Sequence, residues 1–293
     1  MAEVGLVQLA KTALKVTKTV LPAQRSRFSK KQFNQPQLLA LLCVMRFEDW
    51  TYREAEVRLA EHSELRRALE LESVPDHTTV YRFLRRLKEA DLSKALAAVV
   101  KRFPRYKGRR SIAAIDATGL TFNTISSYFM HRRQHHSQKT KKPLTYYWLK
   151  WLVVVDVSRH LLLAQSAHAG PSNDCCRLPQ LIDQAHQLIP VRVVLADAEF
   201  DSERNHQHVH RVLGAQSVIP PKRSRPEWKI RGFRAVMRQN FPQKLYRQRV
   251  QIESIFSAIK RKLSGRAPGR SLTTQALQAL LLGLTFNLYG LFP

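Results

Sequence analysis

Cysteine is scarce in this sequence, and the few cysteines present form no recognisable framework. Three occur among 293 residues, two of them adjacent and none in a Cys-x-x-Cys pair. A disulfide-stapled secreted domain or a zinc finger needs more cysteines at regular spacings, so the sequence argues against both classes.

Long hydrophobic runs are also missing. In the most apolar stretch, the tail from Leu277 to Phe292, the longest unbroken apolar run is Ala279 to Leu284, far shorter than the roughly 20 residues that span a bilayer. The N-terminus lacks the apolar core of a signal peptide because Lys11, Lys15 and Lys18 interrupt it. We expect a soluble, reduced, cytoplasmic protein with no membrane partner, in which the tail from Leu277 to Phe292 forms a buried helix.

Acidic residues are few. The chain has 22 Asp and Glu against 49 Lys and Arg, giving a formal net charge of +27 and a pI near 10.7. This balance excludes a typical acidic metabolic enzyme and indicates a polyanionic partner, above all nucleic acid. A surface kept basic only for solubility is the weaker alternative, because added acids improve solubility more than added bases.

The positive charge is concentrated in two stretches. Between Lys222 and Arg270 there are fifteen Lys and Arg but only two acids, Glu227 and Glu253. Such an isolated carboxylate indicates either a functional group or an internal salt bridge. No acid lies between Asp116 and Asp156, where we predict phosphate contacts from four cations: Arg132, Arg133, Lys141 and Lys142. Three histidines there (His131, His135 and His136) fit a phosphate-contacting loop better than a metal site.

The first hundred residues read as helical. Residues 1–30 form a basic amphipathic arm, and residues 31–105 a run of short helices, one opening with the capping box Thr51 and Glu54. The run ends in a basic helix, Thr78 to Arg86. This pattern suits a helix-turn-helix-like DNA-binding region, and a plain helical bundle packed on the following domain remains equally open.

From Ser111 the pattern changes to that of an α/β domain over residues 106–293. We predict a ribonuclease-H-like mixed sheet flanked by helices, behind the all-helical N-terminal region. The predicted strands are Ile112–Asp116, Trp151–Asp156, His160–Gln165, Val191–Asp197 and Ala215–Pro220. The predicted helices are Asp174–Ile189, Ser202–Leu213 and Gln243–Ser264.

The helix over Gln243–Ser264 carries an unusual polar face. Tyr246, Arg249, Glu253 and Lys260 are spaced 3, 4 and 7 residues apart. At about 100° per residue they fall within a sector of roughly 60°. Apolar contacts to the sheet are predicted for Val250, Ile252, Ile255, Phe256 and Ile259.

The spacing Y-x2-R-x3-E-x6-K resembles the signature of a large group of DDE transposases from bacterial insertion sequences. The strand ends around Asp116 and Asp197 resemble the first and second Asp motifs of that family, in register with the helix. The resemblance covers about residues 30–290. It implies that Asp116, Asp197 and Glu253 are catalytic and bind metal, and that Tyr246, Arg249 and Lys260 contact DNA phosphates.

The chemistry implied by this family suits these residue types. Two Mg²⁺ ions, with Mn²⁺ as a substitute, stabilise the attacking and leaving oxygens in phosphoryl transfer. Such hard cations prefer oxygen ligands, which three carboxylates supply. Two other acids compete for the role. Glu199 lies at period 2 from Asp197 and is an alternative ligand, whereas Asp156 lies in a predicted hairpin and fits a structural role.

The resemblance implies a transposase that cuts double-stranded DNA at terminal inverted repeats and joins the freed 3′-OH to target DNA. It also implies a homodimer on paired ends, acting at the nucleoid in the cytoplasm. A catalytically inactive, transposase-derived DNA-binding protein is one alternative. A metal-dependent, structure-selective nuclease is another. The intact carboxylates and helix signature argue against the inactive protein.

Overall fold

Helices fill the N-terminal third of the chain. The computed structural model describes residues 4–26, 28, 31–103, 110–121, 148–170, 172–222 and 231–292. Within these, six helices precede the first strand: α1 (Leu6–Thr17), α2 (Gln35–Glu48), α3 (Tyr52–Glu61), α4 (Ser63–Ala68), α5 (His77–Arg86) and α6 (Glu89–Val100).

Local signals in the sequence explain where α3 and α5 begin. Thr51 and Glu54 form the predicted capping box, in which Thr51 Oγ1 accepts from the Glu54 amide (3.2 Å) and Glu54 Oε2 accepts from the Thr51 amide (2.7 Å). Asp76 caps α5 by accepting a hydrogen bond from the Thr78 amide at 2.7 Å. Helix α5 buries Val80, Phe83 and Leu84 and exposes its arginines.

The amphipathic helix expected within residues 1–30 is α1. Its apolar face, including Leu9, Ala10 and Ala13, is fully buried in the core that the N-terminal helices share. The lysines Lys11, Lys15 and Lys18 are exposed on the other side. Residues 6–17 therefore contribute to packing as well as to the positive surface charge.

The sheet has five strands: β1 (Ser111–Leu120), β2 (Leu149–Asp156), β3 (Leu161–Ala169), β4 (Val191–Ala196) and β5 (Gln216–Val218). Their order is β3-β2-β1-β4-β5. The β1–β2 and β2–β3 pairs are antiparallel, and the β1–β4 and β4–β5 pairs are parallel. This is the predicted ribonuclease-H-like mixed sheet.

Helices cover both faces of this sheet. After β3 come a 3₁₀ turn (Cys175–Arg177) and α7 (Leu178–Leu188), and after β4 come α8 (Glu203–Gln207) and a π-helical turn (His208–Val212). The remaining helices are α9 (Phe233–Gln239), α10 (Gln243–Tyr246), α11 (Val250–Lys262) and α12 (Leu272–Tyr289). Successive residues of a strand point to opposite faces, so β2 packs Leu152 and Val154 against α7 but Trp151 and Val153 against α11 and α12.

The predicted continuous helix over Gln243–Ser264 is divided. A 3₁₀ turn (Arg247–Arg249) separates α10 from α11. The tighter turn advances about 120° per residue, so it changes the face on which each following side chain lies. Val250 is 55% exposed, so its predicted contact with the sheet is wrong, whereas Ile252, Ile255, Phe256 and Ile259 are buried as predicted. At about 100° per residue, Val250 lies roughly 200° from Ile252, on the opposite side of α11.

Helix α12 is the buried helix predicted at the C-terminus. Five of its leucines pack into the N-terminal helical core, while Ala279, Leu282 and Phe286 pack against the sheet. Gly283 allows the close approach to β3, because a Cβ there would lie 2.2 Å from the Gln165 side-chain oxygen. Within the described residues, no helix combines the length and apolarity needed to cross a membrane.

A buried asparagine on α12 pairs with backbone hydrogen-bonding groups at the outer edge of β3. The Asn287 side chain accepts from the Leu162 amide at 3.0 Å and donates to the Leu162 carbonyl at 2.8 Å. Asn287 is fully buried. The amide side chain thus replaces the missing neighbouring strand and leaves neither backbone group unpaired.

We predict that Asn287→Ala lowers the free energy of unfolding by roughly 2–4 kcal/mol, because it leaves two buried backbone groups without partners. Chemical denaturation monitored by circular dichroism measures the change. The control is Gln239→Ala at the exposed end of α9. An equal, small effect of both substitutions would contradict a stabilising role for Asn287.

Candidate active site

Two aspartates lie side by side because of the register between β1 and β4. Ile115 pairs in parallel with Ala196, so the next residue along each chain, Asp116 and Asp197, is adjacent to the other. Both side chains are half-buried. The strand pairing thus brings together two carboxylates that are far apart in sequence.

Asp197 ends β4 and starts the 3₁₀ turn Ala198–Phe200. Its Oδ1 accepts a hydrogen bond from the Glu199 amide at 2.9 Å, which orients the carboxylate. Within the described residues, no Lys, Arg or His forms an ion pair with Asp197. Its charge is therefore available to a ligand.

Glu253 reaches the same region from the first turn of α11. The helix is held to the sheet by its buried apolar side chains, among which Phe256 contacts Trp151 with ring centroids 6.1 Å apart. The Glu253 side chain itself is 56% exposed. The helix is therefore fixed to the sheet, and the exposed Glu253 carboxylate is accessible from solvent.

Arg249 connects the strand carboxylate to the helix carboxylate. Its Nη1 lies 2.6 Å from Asp116 Oδ2, and its Nη2 lies 2.8 Å from Glu253 Oε1. Side chains three residues apart eclipse in a 3₁₀ turn, so Arg249 also stacks over the Tyr246 ring, with Cζ 6.0 Å from the centroid. The salt bridge considered for Glu253 from the sequence is therefore present, and it lies inside the predicted site.

The surroundings raise the pKa of Asp116 and of Tyr246 in this cluster. Burial raises the pKa of the Asp116 carboxyl above its usual value and the Asp197 charge adds to this, although hydrogen bonds from the Ala117 amide and Arg249 oppose it. Burial also raises the pKa of the Tyr246 phenol. Tyr246 therefore stays protonated at neutral pH and can donate a hydrogen bond.

Lys260 lies along β1 from Asp116. Its Nζ donates to Thr118 Oγ1 at 2.7 Å, and both side chains are on the solvent side of the site. Thr118 and Asp116 share one face of β1 because they are two residues apart. Sequence reasoning did not single out Thr118, although its spacing from Asp116 was the available signal.

Glu199, the alternative ligand, belongs to a different group of charges. It lies 3.1 Å from Lys150 Nζ, which also lies 2.5 Å from the buried Asp174. Burial disfavours the charged lysine, but hydrogen bonds to Asp174 and Glu199 raise its pKa above the usual value. Asp174 in turn lies 2.8 Å from His168 Nε2. The sequence analysis did not identify this network, which engages Glu199 away from Asp116.

Two further acids, Asp201 and Asp156, have structural partners. Asp201 is buried and accepts from Arg234 Nε at 2.7 Å and from the Lys222 amide at 2.9 Å. Burial alone would raise its pKa, but hydrogen bonds from His206, Arg234 and Lys222 hold that pKa well below the usual range. Asp156 accepts from the amides of Ser158 and Arg159 in the β2–β3 hairpin, consistent with its predicted structural role.

The site's donor set fits a hard divalent cation, because Asp116, Asp197 and Glu253 offer only carboxylate oxygens. Within the described part of the chain, the one set of three potential ligand atoms mutually within 4.8 Å is elsewhere, at Glu56, Asp76 and His77. Hydrogen bonds within that set already join His77 to Glu56. The three site carboxylates are farther apart, with Arg249 between two of them.

The predicted loop contacts fall on a part of the chain that is not described. Arg132, Arg133, Lys141 and Lys142 lie outside the described residues, as do His131, His135 and His136. Their roles therefore stay predictions.

Comparison with known proteins identifies the family. The family model described as "Transposase DDE domain" matches residues 107–288. A comparison with curated proteins finds no match. Among solved structures, the chain is similar to a piggyBac transposase in a synaptic complex with hairpin DNA, determined by cryo-electron microscopy. The similarity has 10% sequence identity and a TM-score of 0.45, over 98% of this chain and 74% of that chain.

The matched span contains the complete sheet, all three carboxylates and the helix signature. It defines an enzyme class that cuts DNA and transfers strands, and whose members depend on divalent metal, generally Mg²⁺. The chain belongs to the DDE transposase family. The resemblance found in the sequence is confirmed at this level.

The position of Glu199 leads to a prediction. Glu199→Gln should leave DNA cleavage nearly unchanged, whereas Asp197→Asn should reduce the rate at least about 100-fold, because only Asp197 lies beside Asp116. Single-turnover cleavage of labelled DNA in Mg²⁺ measures both rates. Comparable losses in the two variants would show that Glu199 takes part in the site.

Proposed function

We propose that this protein is the transposase of a bacterial insertion sequence and that Asp116, Asp197 and Glu253 hold its metal ions. The observation that carries the proposal is the convergence of these carboxylates from β1, the end of β4 and α11 within the matched family domain. Two Mg²⁺ ions, or Mn²⁺ in their place, would stabilise the attacking and leaving oxygens of phosphoryl transfer. The substrates are the element's terminal inverted repeats and target DNA.

The cations beside these carboxylates suit contact with phosphate. Lys260 is exposed, and its described partner is the neutral Thr118 hydroxyl, so its charge is not neutralised. Arg249 has a planar guanidinium that matches phosphate oxygens, and Tyr246 keeps its proton for donation. We assign these three residues to holding the DNA backbone next to the metal ligands.

A second basic surface lies in the N-terminal region. A cavity of about 750 Å³ between α5 and the segment before α2 is lined by four cations (Arg25, Arg82, Arg86 and Lys88) and a single acid, Asp91. Within the described residues, none of the four cations forms an ion pair. Phe28, 81% exposed, also lines it. Unneutralised charge around a concave surface favours duplex DNA as the occupant.

This surface supports separate DNA-binding and catalytic regions along the chain. Residues 31–105, with the basic segment 1–30, would bind the element's ends, and residues 106–293 would carry the chemistry. Two ends must be held together for transposition, so we propose a homodimer on DNA. Its place of action is the nucleoid in the cytoplasm.

The first prediction here tests the metal ligands. Asp116→Asn, Asp197→Asn and Glu253→Gln should each abolish cleavage but preserve DNA binding, because each keeps side-chain volume and removes one charge needed by the cations. Binding should persist or tighten, since losing an acid near phosphates relieves repulsion. Cleavage of a labelled end duplex and a gel shift on the same DNA provide the two readouts.

These assays, together with branched DNA substrates and a strand-transfer assay, separate the alternatives. Wild-type protein that binds DNA but does not cut it in Mg²⁺ or Mn²⁺ would indicate the inactive, transposase-derived protein. Cleavage of branched or hairpin DNA without strand transfer would indicate the nuclease. Full activity in Glu253→Gln would show that the helix ligand is misassigned.

The second prediction tests the N-terminal cavity. Binding to duplex DNA should weaken steeply with salt, and the double variant Arg82→Ala with Arg86→Ala should flatten the log–log slope by about 1.8, or 0.9 per lost phosphate contact. The matched control is Arg204→Ala with Arg211→Ala, two exposed arginines outside the cavity. Fluorescence anisotropy over a salt series measures the slopes. If the salt slope flattens equally in both double variants, the cavity is not the DNA-binding surface.

A further inference from the structure

We infer that Arg249 competes with divalent metal for Asp116 and Glu253, and that DNA phosphate draws it away. This inference rests on the proposed function, because it takes these carboxylates as metal ligands. It assigns to Arg249 a second role, in which one side chain couples DNA binding to metal loading.

Both carboxylate oxygens of Asp116 already accept a hydrogen bond. Its Oδ1 accepts from the Ala117 amide at 2.8 Å, and its Oδ2 accepts from Arg249 Nη1 at 2.6 Å. The backbone bond stays within the strand and obstructs little. The Arg249 side chain, by contrast, is only 17% exposed, and its guanidinium lies between Asp116 and Glu253. A metal ligated by Asp116 Oδ2 must therefore displace Arg249.

Arg249 and a divalent cation also repel each other. Arg249 supplies one positive charge to two carboxylates, in a partly buried place where charges interact more strongly than in water. A guanidinium cannot lose its proton in a protein, so it cannot relieve repulsion from an arriving divalent cation by becoming neutral. It must move instead, and the free energy of breaking its two ion pairs opposes metal binding.

Once displaced, the Arg249 side chain has an alternative anionic partner in DNA. Tyr246 stacks on Arg249 and is itself partly exposed to solvent, so it lies on the outer side of the guanidinium. A DNA phosphate on this surface offers the guanidinium a new bidentate anionic partner. Arg249 would exchange carboxylates for phosphate, and the vacated oxygens would become available. By linkage, DNA then raises metal affinity and metal raises DNA affinity by the same factor.

The experiment measures Mn²⁺ binding to the full-length protein from the electron paramagnetic resonance signal of the free ion. Without DNA, Arg249→Ala and the uncharged but polar Arg249→Gln should each bind Mn²⁺ at least about tenfold more tightly than wild type, equivalent to about 1.4 kcal/mol. The control, Arg247→Ala, removes an exposed arginine of the same 3₁₀ turn and should match wild type.

The second arm adds a short duplex of arbitrary sequence, after subtraction of the Mn²⁺ that the duplex binds alone. The duplex should raise the affinity of wild type to that of Arg249→Ala, and should change the Arg249→Ala affinity little. A gain on mutation without a gain on DNA binding would overturn the coupling to DNA. Unchanged or weaker Mn²⁺ binding in both Arg249 variants would overturn the competition itself.

The design distinguishes this inference from the proposed function. Asp197→Asn should weaken Mn²⁺ binding, because Asp197 is a proposed ligand that Arg249 does not contact. If Asp197→Asn binds Mn²⁺ as wild type does, the metal site is misplaced and both conclusions fail. If Asp197→Asn weakens binding but the Arg249 variants do not strengthen it, the proposed function stands and the role of Arg249 is rejected.

Discussion

Helix α12 is buried around almost its whole circumference, and this burial joins the two halves of the chain. A helix that is apolar on every side cannot leave a face in water, so it must be enclosed by other elements. The N-terminal helices cover one side and the sheet covers the other. Where α12 meets β3, Gly283 permits the approach and Asn287 pairs the strand edge. The helical region and the catalytic sheet therefore share one packed element.

The candidate site depends on this support because its three carboxylates come from separate elements. Strand pairing places Asp116 beside Asp197, and the apolar face of α11 places Glu253 over β1. Each position is held by core packing rather than by a loop, which is the arrangement that keeps ligands in a constant geometry. The 3₁₀ turn before α11 carries Arg249, whose guanidinium lies between two of the carboxylates.

The acids of this very basic protein differ in whether a cationic side chain neutralises them. Asp201 is paired with Arg234, Glu199 with Lys150, and Asp156 lies in its hairpin with Arg159. These acids are neutralised by neighbours and hold loops in place. The site differs, because among the described residues Asp116 and Glu253 share one guanidinium and Asp197 has no cationic partner. The site therefore retains negative charge within a positive surface, which suits cations delivered next to DNA.

The sequence by itself determined the order of strands and helices, the buried C-terminal helix and the family, because periodicity, apolar runs and motif spacing are local properties. It also singled out Asp116, Asp197 and Glu253 as candidates, whose catalytic roles remain predictions. Only the tertiary structure decided which groups meet. The bond from Arg249 to Asp116 joins residues 133 positions apart, and the engagement of Glu199 by Lys150 depends on how β2 lies beside β1. The apolar character of Val250 predicts a contact with the sheet, but helical spacing places it opposite Ile252 and leaves it exposed. Contacts across the sheet depend on register and packing, which no local pattern encodes.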